Sequence, residues 1–236
     1  MRSDSRAAPK VEDRRADMTA IQRHNGLAEK VYEALLAQLM GLKIAPGARI
    51  TVDNLVRELQ VSHTPIREAL GRLEGEGLVV KTHLIGYSAA PQISRRQFDE
   101  LYELRLLLEP DSARRAAEAM TAERLEVLRD LADMMSGGSD EDARRRYSAF
   151  ARQDAVFHDR ILEFAGNELI RHTLAHQHTH FHIFRLMFHA RVTEEALTEH
   201  QALMDAFTRA DGTAAAAAMH DHIARSRQRL LPAFEI

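Results

Sequence analysis

The sequence predicts a mainly α protein, with an N-terminal winged helix-turn-helix and a C-terminal all-α helical bundle. Three observations carry this. Ala, Leu, Glu and Arg dominate while aromatics make up only 6% and Trp is absent, a composition that favours helices. Apolar residues recur at helical spacing over most of the chain. The exception, "LVVKTHLIGYSA" from Leu78, reads as two short strands and directly follows the stretch "VSHTPIREALGRLEGEG".

Taken in order, residues 1–24 are polar, carry mixed charge and show no apolar period, so they read as a disordered tail. Residues 25–92 form the first domain. Leu27, Val31, Leu35 and Leu39 set a helix over about 27–42, which "APG" at Ala45–Gly47 ends. A short helix follows from Val52 to Leu59, with Thr51 placed to cap it. Thr64 is the expected N-cap of the third helix, and Pro65 its first residue, where a missing N–H costs nothing. Ile66, Ala69, Leu70 and Leu73 then face a core, leaving Arg67 and Gly71 outward. Strands at Leu78–Lys81 and Tyr87–Ala90, joined by a turn at His83–Gly86, complete the wing.

Residues 93–236 form the second domain, with helices expected near 95–119, 121–136, 140–166, 168–190, 193–210 and 213–231. The breaks fall at Thr121, Ser136–Asp140, Ala165–Asn167, near Thr193 and at Ala210–Gly212. No apolar run approaches the ~18 residues that would span a bilayer, and no secretory h-region follows the N-terminus. Without Cys there is no disulfide framework or thiolate metal site, which fits a cytoplasmic protein. Net charge is −3, unevenly spread. Residues 1–96 hold 15 Lys+Arg against 11 Asp+Glu, and residues 97–236 hold 17 against 24. A polyanion would meet the first part.

A helix-turn-helix reads base edges with the N-terminal residues of its second helix. Ser62, His63, Thr64, Pro65 and Arg67, with His83 and Gly86 of the wing, are therefore the candidate contacts to double-stranded DNA. Gly71 allows close approach. A solvated helix arginine is the competing reading of Arg67.

The chain has 13 His. Asp154 and His158 lie four apart on one helix face, while His200 and His222 lie on later helices. Asp plus three His suits a divalent ion such as Zn²⁺, Mn²⁺ or Ni²⁺, although a lone i,i+4 pair often marks no more than a buried, satisfied histidine. His172, His176 and His180 share one predicted face, and His178, His182 and His189 another. They suit a wet helix surface with one or two pocket-lining groups better than a second metal site or a pH-sensitive pocket wall. Arg105, on an apolar face, either pairs with Glu109 or clamps a carboxylate ligand.

"YEALLAQLMGLKIAPGARI", "LVRELQVSHTPIREALGRLEGEGLVV" and "GYSAAP" together resemble the winged-helix domain of GntR-family bacterial transcription regulators. "FDELYELRLLLEPDSARRAA", "DAVFHDRILEFAGNELI" and "EHQALMDAFTRADGTAAAAAMHDHI" resemble the FCD effector domain of that family's fatty-acid-regulator branch, in its six-helix form. The resemblance covers about residues 27–231. It implies that Asp154, His158, His200 and His222 ligate a divalent metal and that Arg105 faces the effector. It also implies a homodimer on a pseudo-palindromic operator, most often a repressor, that responds to a small carboxylate. His63 stands where the family usually has Arg, and Asp53 where some relatives have an arginine that contacts DNA. Direct sensing of the metal is the alternative. A metal-dependent enzyme is less favoured, since no separate base or nucleophile is apparent and the winged helix would be unexplained.

Overall fold

The computed structural model describes residues 11–136, 142–188 and 190–235. The order is α1 (Val11–Met40), β1 (Arg49–Ile50), α2 (Val52–Leu59), α3 (His63–Gly75), β2 (Val79–Thr82) and β3 (Gly86–Ala89), then α4 (Arg95–Glu118), α5 (Ala122–Ser136) and α6 (Ala143–Phe164). Next come α7 (Glu168–Ala175), α8 (Thr179–Phe184), α9 (Ala190–Thr208), α10 (Gly212–Leu230) and a 3₁₀ turn at Leu231–Phe234.

The head closes on Leu35, Leu39, Ile66, Leu70, Leu73 and Leu78, all essentially inaccessible. The expected stripe on α3 is therefore the buried one, and the hydrophobic effect of burying it locks α3 onto α1. Three antiparallel strands lie in the order β1-β3-β2. β1 escaped the sequence reading because two residues show no alternation, although Arg49 pairs with Ser88 across the sheet.

Several boundaries differ from expectation. Residues 1–10 lie outside the described residues, but 11–24 belong to α1 rather than to a tail. Good helix formers such as Glu12, Arg14, Arg15 and Met18 extend the helix without an apolar period. Ser62, not Thr64, is the N-cap of α3. Pro65 falls at the third position, still within the first turn, where no intrahelical donor is needed. Pro65 is buried, so it supports the helix from inside instead of touching DNA.

The single helix expected over 168–190 is two, broken where His178 adopts a left-handed conformation (φ 45°). The flanking run of His, Thr and aromatic residues has weak helix propensity. α9 already begins at Ala190, ahead of the break expected near Thr193. The expected break at Ser136–Asp140 lies, beyond Ser136, outside the described residues.

In the second domain α4 packs along α10. Ser94 caps α4 through a reciprocal box with Gln97, and Tyr102 bonds Ser226 at 2.7 Å between the two helices. No described helix is long and apolar enough to cross a membrane.

The domains meet along α1, which packs on both α3 and α6. Glu29 of α1 accepts from Arg72 of α3 at 2.5 Å and from Arg152 of α6 at 3.1 Å. At the other side of the seam Arg185 donates to the Ala90 carbonyl at 2.7 Å, and Gln92 donates to the Arg185 carbonyl at 2.6 Å. Gly77, at φ 69°, turns the chain out of α3 so tightly that the rings of His178 and His182 pack over it.

Candidate metal centre and nucleic-acid interface

The buried stripe of α6 runs through Tyr147, Phe150, Ala151, Asp154, Phe157, His158 and Ile161. Helical spacing thus carries one carboxylate and one imidazole into the core, at 3% and 2% exposure. His200 of α9 and His222 of α10 converge on them, equally buried. Ring centroids lie 4.8 Å apart for His200 and His222, 5.2 Å for His158 and His222, and 5.7 Å for His158 and His200. Asp154 Oδ1 is 3.2 Å from His200 Nε2 and 3.9 Å from His158 Nε2. The four residues singled out from the sequence are therefore brought together.

The next layer of side chains orients these rings. His158 Nδ1 lies 2.8 Å from Glu109 Oε2, and His222 Nδ1 lies 2.9 Å from Glu199 Oε2. An ionised carboxylate only accepts, so each Nδ1 donates and each Nε2 keeps its lone pair for the centre. Burial pushes the imidazoles of His158 and His222 down, to about 3 and about 4, against the pull of their carboxylates. Both rings are thus neutral near neutral pH. Burial alone would raise Glu109, but Arg105 and His158 outweigh it and hold the carboxyl below its usual range. Glu199 is likewise held down by His222 and Arg229.

Of the two partners open to Arg105, the structure selects Glu109, with Nε 2.5 Å from Oε1. The free space on that side, shared with Asp154, His222 and Arg229, is about 10 Å³. That holds about one water and no carboxylate, so Arg105 acts on the centre through Glu109 instead of clamping a ligand directly.

Among the described residues, Asp154 Oδ1, His158 Nε2 and both ring nitrogens of His200 are buried without a hydrogen-bond partner. Such atoms are costly unless something binds them. Three imidazoles and a carboxylate are the donor set of a borderline divalent ion, so the residues present fit a metal.

The sequence leaves one or two of the clustered histidines to line a pocket, and His180 is one that does, although it shares an expected helix face with His172 and His176. The break before α8 removes it from their face, and its Nδ1 instead lies 2.7 Å from Asp154 Oδ2. His172 and His176 are exposed, and His189 lies outside the described residues.

At the other end of the molecule Ser62, His63, Thr64, Arg67 and Gly71 are exposed along the start of α3, as are His83 and Gly86 on the wing. The wing tip carries Leu84 at 93% exposure. His63 Nε2 and Asp53 Oδ1 are 2.9 Å apart, so the two residues that depart from the resembled pattern are partners.

Comparison with known proteins gives these two regions a common setting. Residues 27–86 match the signature of "Bacterial regulatory proteins, gntR family", and residues 100–225, more than half the chain, match the FCD domain. The Nta operon transcriptional regulator of Aminobacter aminovorans is 36% identical over 129 residues, covering 55% of this chain and 59% of that relative. The transcriptional repressor NanR of Escherichia coli is 26% identical over 229 residues, covering 84% and 81%. The solved structure of E. coli McbR/YncC shares the fold, with a TM-score of 0.62 at 21% identity over 87% of this chain and 97% of that one. These relatives are transcriptional regulators and not enzymes, which removes the enzyme alternative. The chain belongs to the gntR family of bacterial regulatory proteins and carries that family's FCD-type C-terminal domain.

Proposed function

We propose that this protein is a cytoplasmic, homodimeric transcription regulator, most often acting as a repressor, that releases a pseudo-palindromic operator when a small carboxylic acid binds its C-terminal domain. The observation that carries the reading is the set of orphaned, inward-facing donors of Asp154, His158 and His200 beneath a head whose α3 terminus stands open. Ser62, His63, Thr64 and Arg67 would enter the major groove, Arg67 reaching a guanine edge or a phosphate, while His83 and Gly86 follow the backbone from the wing.

Asp154, His158, His200 and His222 would hold the divalent ion. When bound, the ion would add positive charge and an open coordination position for a carboxylate. Glu109 and Glu199 fix the two imidazoles at the required tautomer, and Arg105 and Arg229 keep those carboxylates ionised. Only an acid that favours one arrangement of the two heads over another shifts the DNA equilibrium.

Elemental analysis of purified wild type and His200→Ala, beside a thermal-shift screen of small acids with and without chelator, tests this. About one metal per wild-type chain, lost in His200→Ala, with an acid that raises the melting temperature only when metal is present, is expected. Full occupancy in His200→Ala would remove that residue from the ligand set. DNA affinity that tracks metal with no acid present would identify the ion itself as the signal.

A further inference from the structure

Space for a ligand lies on only one of the two sides described for the centre. Opposite the tight Arg105 side, a cavity of about 370 Å³ opens from His158 and His180 toward the seam between the domains. That volume is at the lower end of ordinary small-molecule sites. Its floor is Glu109, His158 and His180, its walls include Leu162, Leu174 and Phe181, and its far rim is Tyr32, Arg72 and Glu76. The rim therefore belongs to the DNA-binding head.

We propose that the effector is an elongated acid: a carboxylate at the floor beside His158 and His180, an apolar body against Leu162, Leu174 and Phe181, and a hydrogen-bonding far end read by Arg72 of α3 and by Glu76, which caps that helix. This rests on the reading of the centre as an acid-responsive site, and it goes further in naming the ligand's shape and the surface that senses it.

The chemistry of the two ends differs. The rings of His158 and His180 lie 4.7 Å apart beside Glu109, and each gives its Nδ1–H to a carboxylate, so a ligand carboxylate at the floor would be held by the ion of the centre that these two rings flank. The walls between are mainly apolar, with Arg152 and Asp159 the charged residues among them, Arg152 already paired with Glu29 and Asp159 with Arg171. At the rim Tyr32 donates to Glu76 at 2.9 Å, and the Arg72 guanidinium lies 3.9 Å over the Tyr32 ring. Arg72 is already paired with Glu29, and Glu76 stands beside it, so the rim is not a second anion site. It suits a hydroxyl or amide, which both donates and accepts.

The position explains how a ligand would act on DNA. Arg72 lies in the last turn of α3 and Glu76 caps its C-terminus, while Arg67 stands on the same helix nearer its start. Gly77 follows immediately and is packed under His178 and His182, the neighbours in sequence of His180. A molecule spanning the cavity would thus contact the recognition helix itself, and any tilt of α3 would be felt directly by its affinity.

The test is calorimetric titration of the zinc-reconstituted full-length protein with acetate, 3-phenylpropionate and 3-(4-hydroxyphenyl)propionate. Phenylpropionate is expected to bind at least tenfold tighter than acetate, and the hydroxylated acid tighter again. Ala155→Phe, which projects a ring from α6 into the cavity, should bring the ratio of phenylpropionate to acetate affinity close to one while zinc content persists. Arg72→Gln, on the exposed side of the head, should erase the added gain from the hydroxyl only.

Equal affinity for all three acids, or a ratio untouched by Ala155→Phe in protein that holds zinc, would overturn the elongated-acid proposal and leave the acid-responsive centre standing. If Ala155→Phe fails to fold, Arg72→Gln decides the matter, and an undiminished hydroxyl gain there overturns the far-end contact. Absence of zinc and of any acid response would overturn both this proposal and the functional reading beneath it.

Discussion

Two histidine–carboxylate pairs of nearly equal length sit at opposite ends of this molecule. His63 and Asp53, on the surface of the head, are 2.9 Å apart with side chains 55% and 76% exposed. His158 and Glu109, in the helical domain, are 2.8 Å apart at 2% and 4%. In water the first pair competes with solvent and salt, and such exposed pairs contribute little. In the core the second pair fixes a tautomer, a ring orientation and the state of a lone pair. The same contact is therefore an adjustable surface charge in one place and a fixed structural device in the other, and burial decides which.

Breaking the buried side should cost most. Arg105→Met removes the guanidinium that holds Glu109 ionised and leaves a buried carboxylate without its main partner. A loss of about 3–5 kcal/mol in unfolding free energy is expected by denaturant titration, the usual scale for half of a buried pair. Unchanged stability would mean that the second layer is not held by Arg105.

Glu199→Gln keeps the shape but weakens the acceptor for His222 Nδ1. Metal affinity measured by competition with a chelator should fall about 10–100-fold, as is typical for such outer partners. No change would reduce Glu199 to packing.

On the exposed side, Arg67→Ala should weaken operator binding by about 1–3 kcal/mol, with metal content intact. Equal binding would return Arg67 to a solvated surface residue. The smallest effect is expected from Asp53→Asn, which takes one negative charge off the surface proposed to face DNA. Duplex DNA should bind less than about tenfold tighter, with the gain shrinking as salt rises. Weaker binding instead would show that Asp53 holds His63 in a reading position.

The sequence made the first layer of the centre legible but not the second. Asp154 and His158 are visible because four residues bring them to one helix face. Glu109 and Glu199 carry no such mark, since their meaning comes from helices α4 and α9 packing beside α6 and α10, and no local period encodes that. Which of the clustered histidines lines the pocket was not legible for a related reason: a single left-handed residue at His178 turns an apparent helix face into a separate element.

In the head, the stripe from Ile66 to Leu73 and the span of α2 were readable from apolar spacing alone. The cap was not, because "SHTP" offers two hydroxyls and only packing places Pro65 inward, which makes Ser62 the start. β1 was too short to show a pattern.

Glu29 has a consequence for how freely such proteins can exchange parts. Its one carboxylate is shared by Arg72 of the DNA-binding head and Arg152 of the helical domain. A head transplanted from another regulator would arrive with its own α1, replacing Glu29 and Glu33 together, and would have to supply an acid at this register or leave Arg152 without either partner. The boundary between the two domains is therefore a poor place to cut. Recombination that respected only the chain's division near residue 92 would separate two arginines that were fitted to one anion. Domain swaps that keep α1 with the head it packs into, and also match an acid at position 29 to the arginine at position 152, should remain functional more often than swaps that ignore this register.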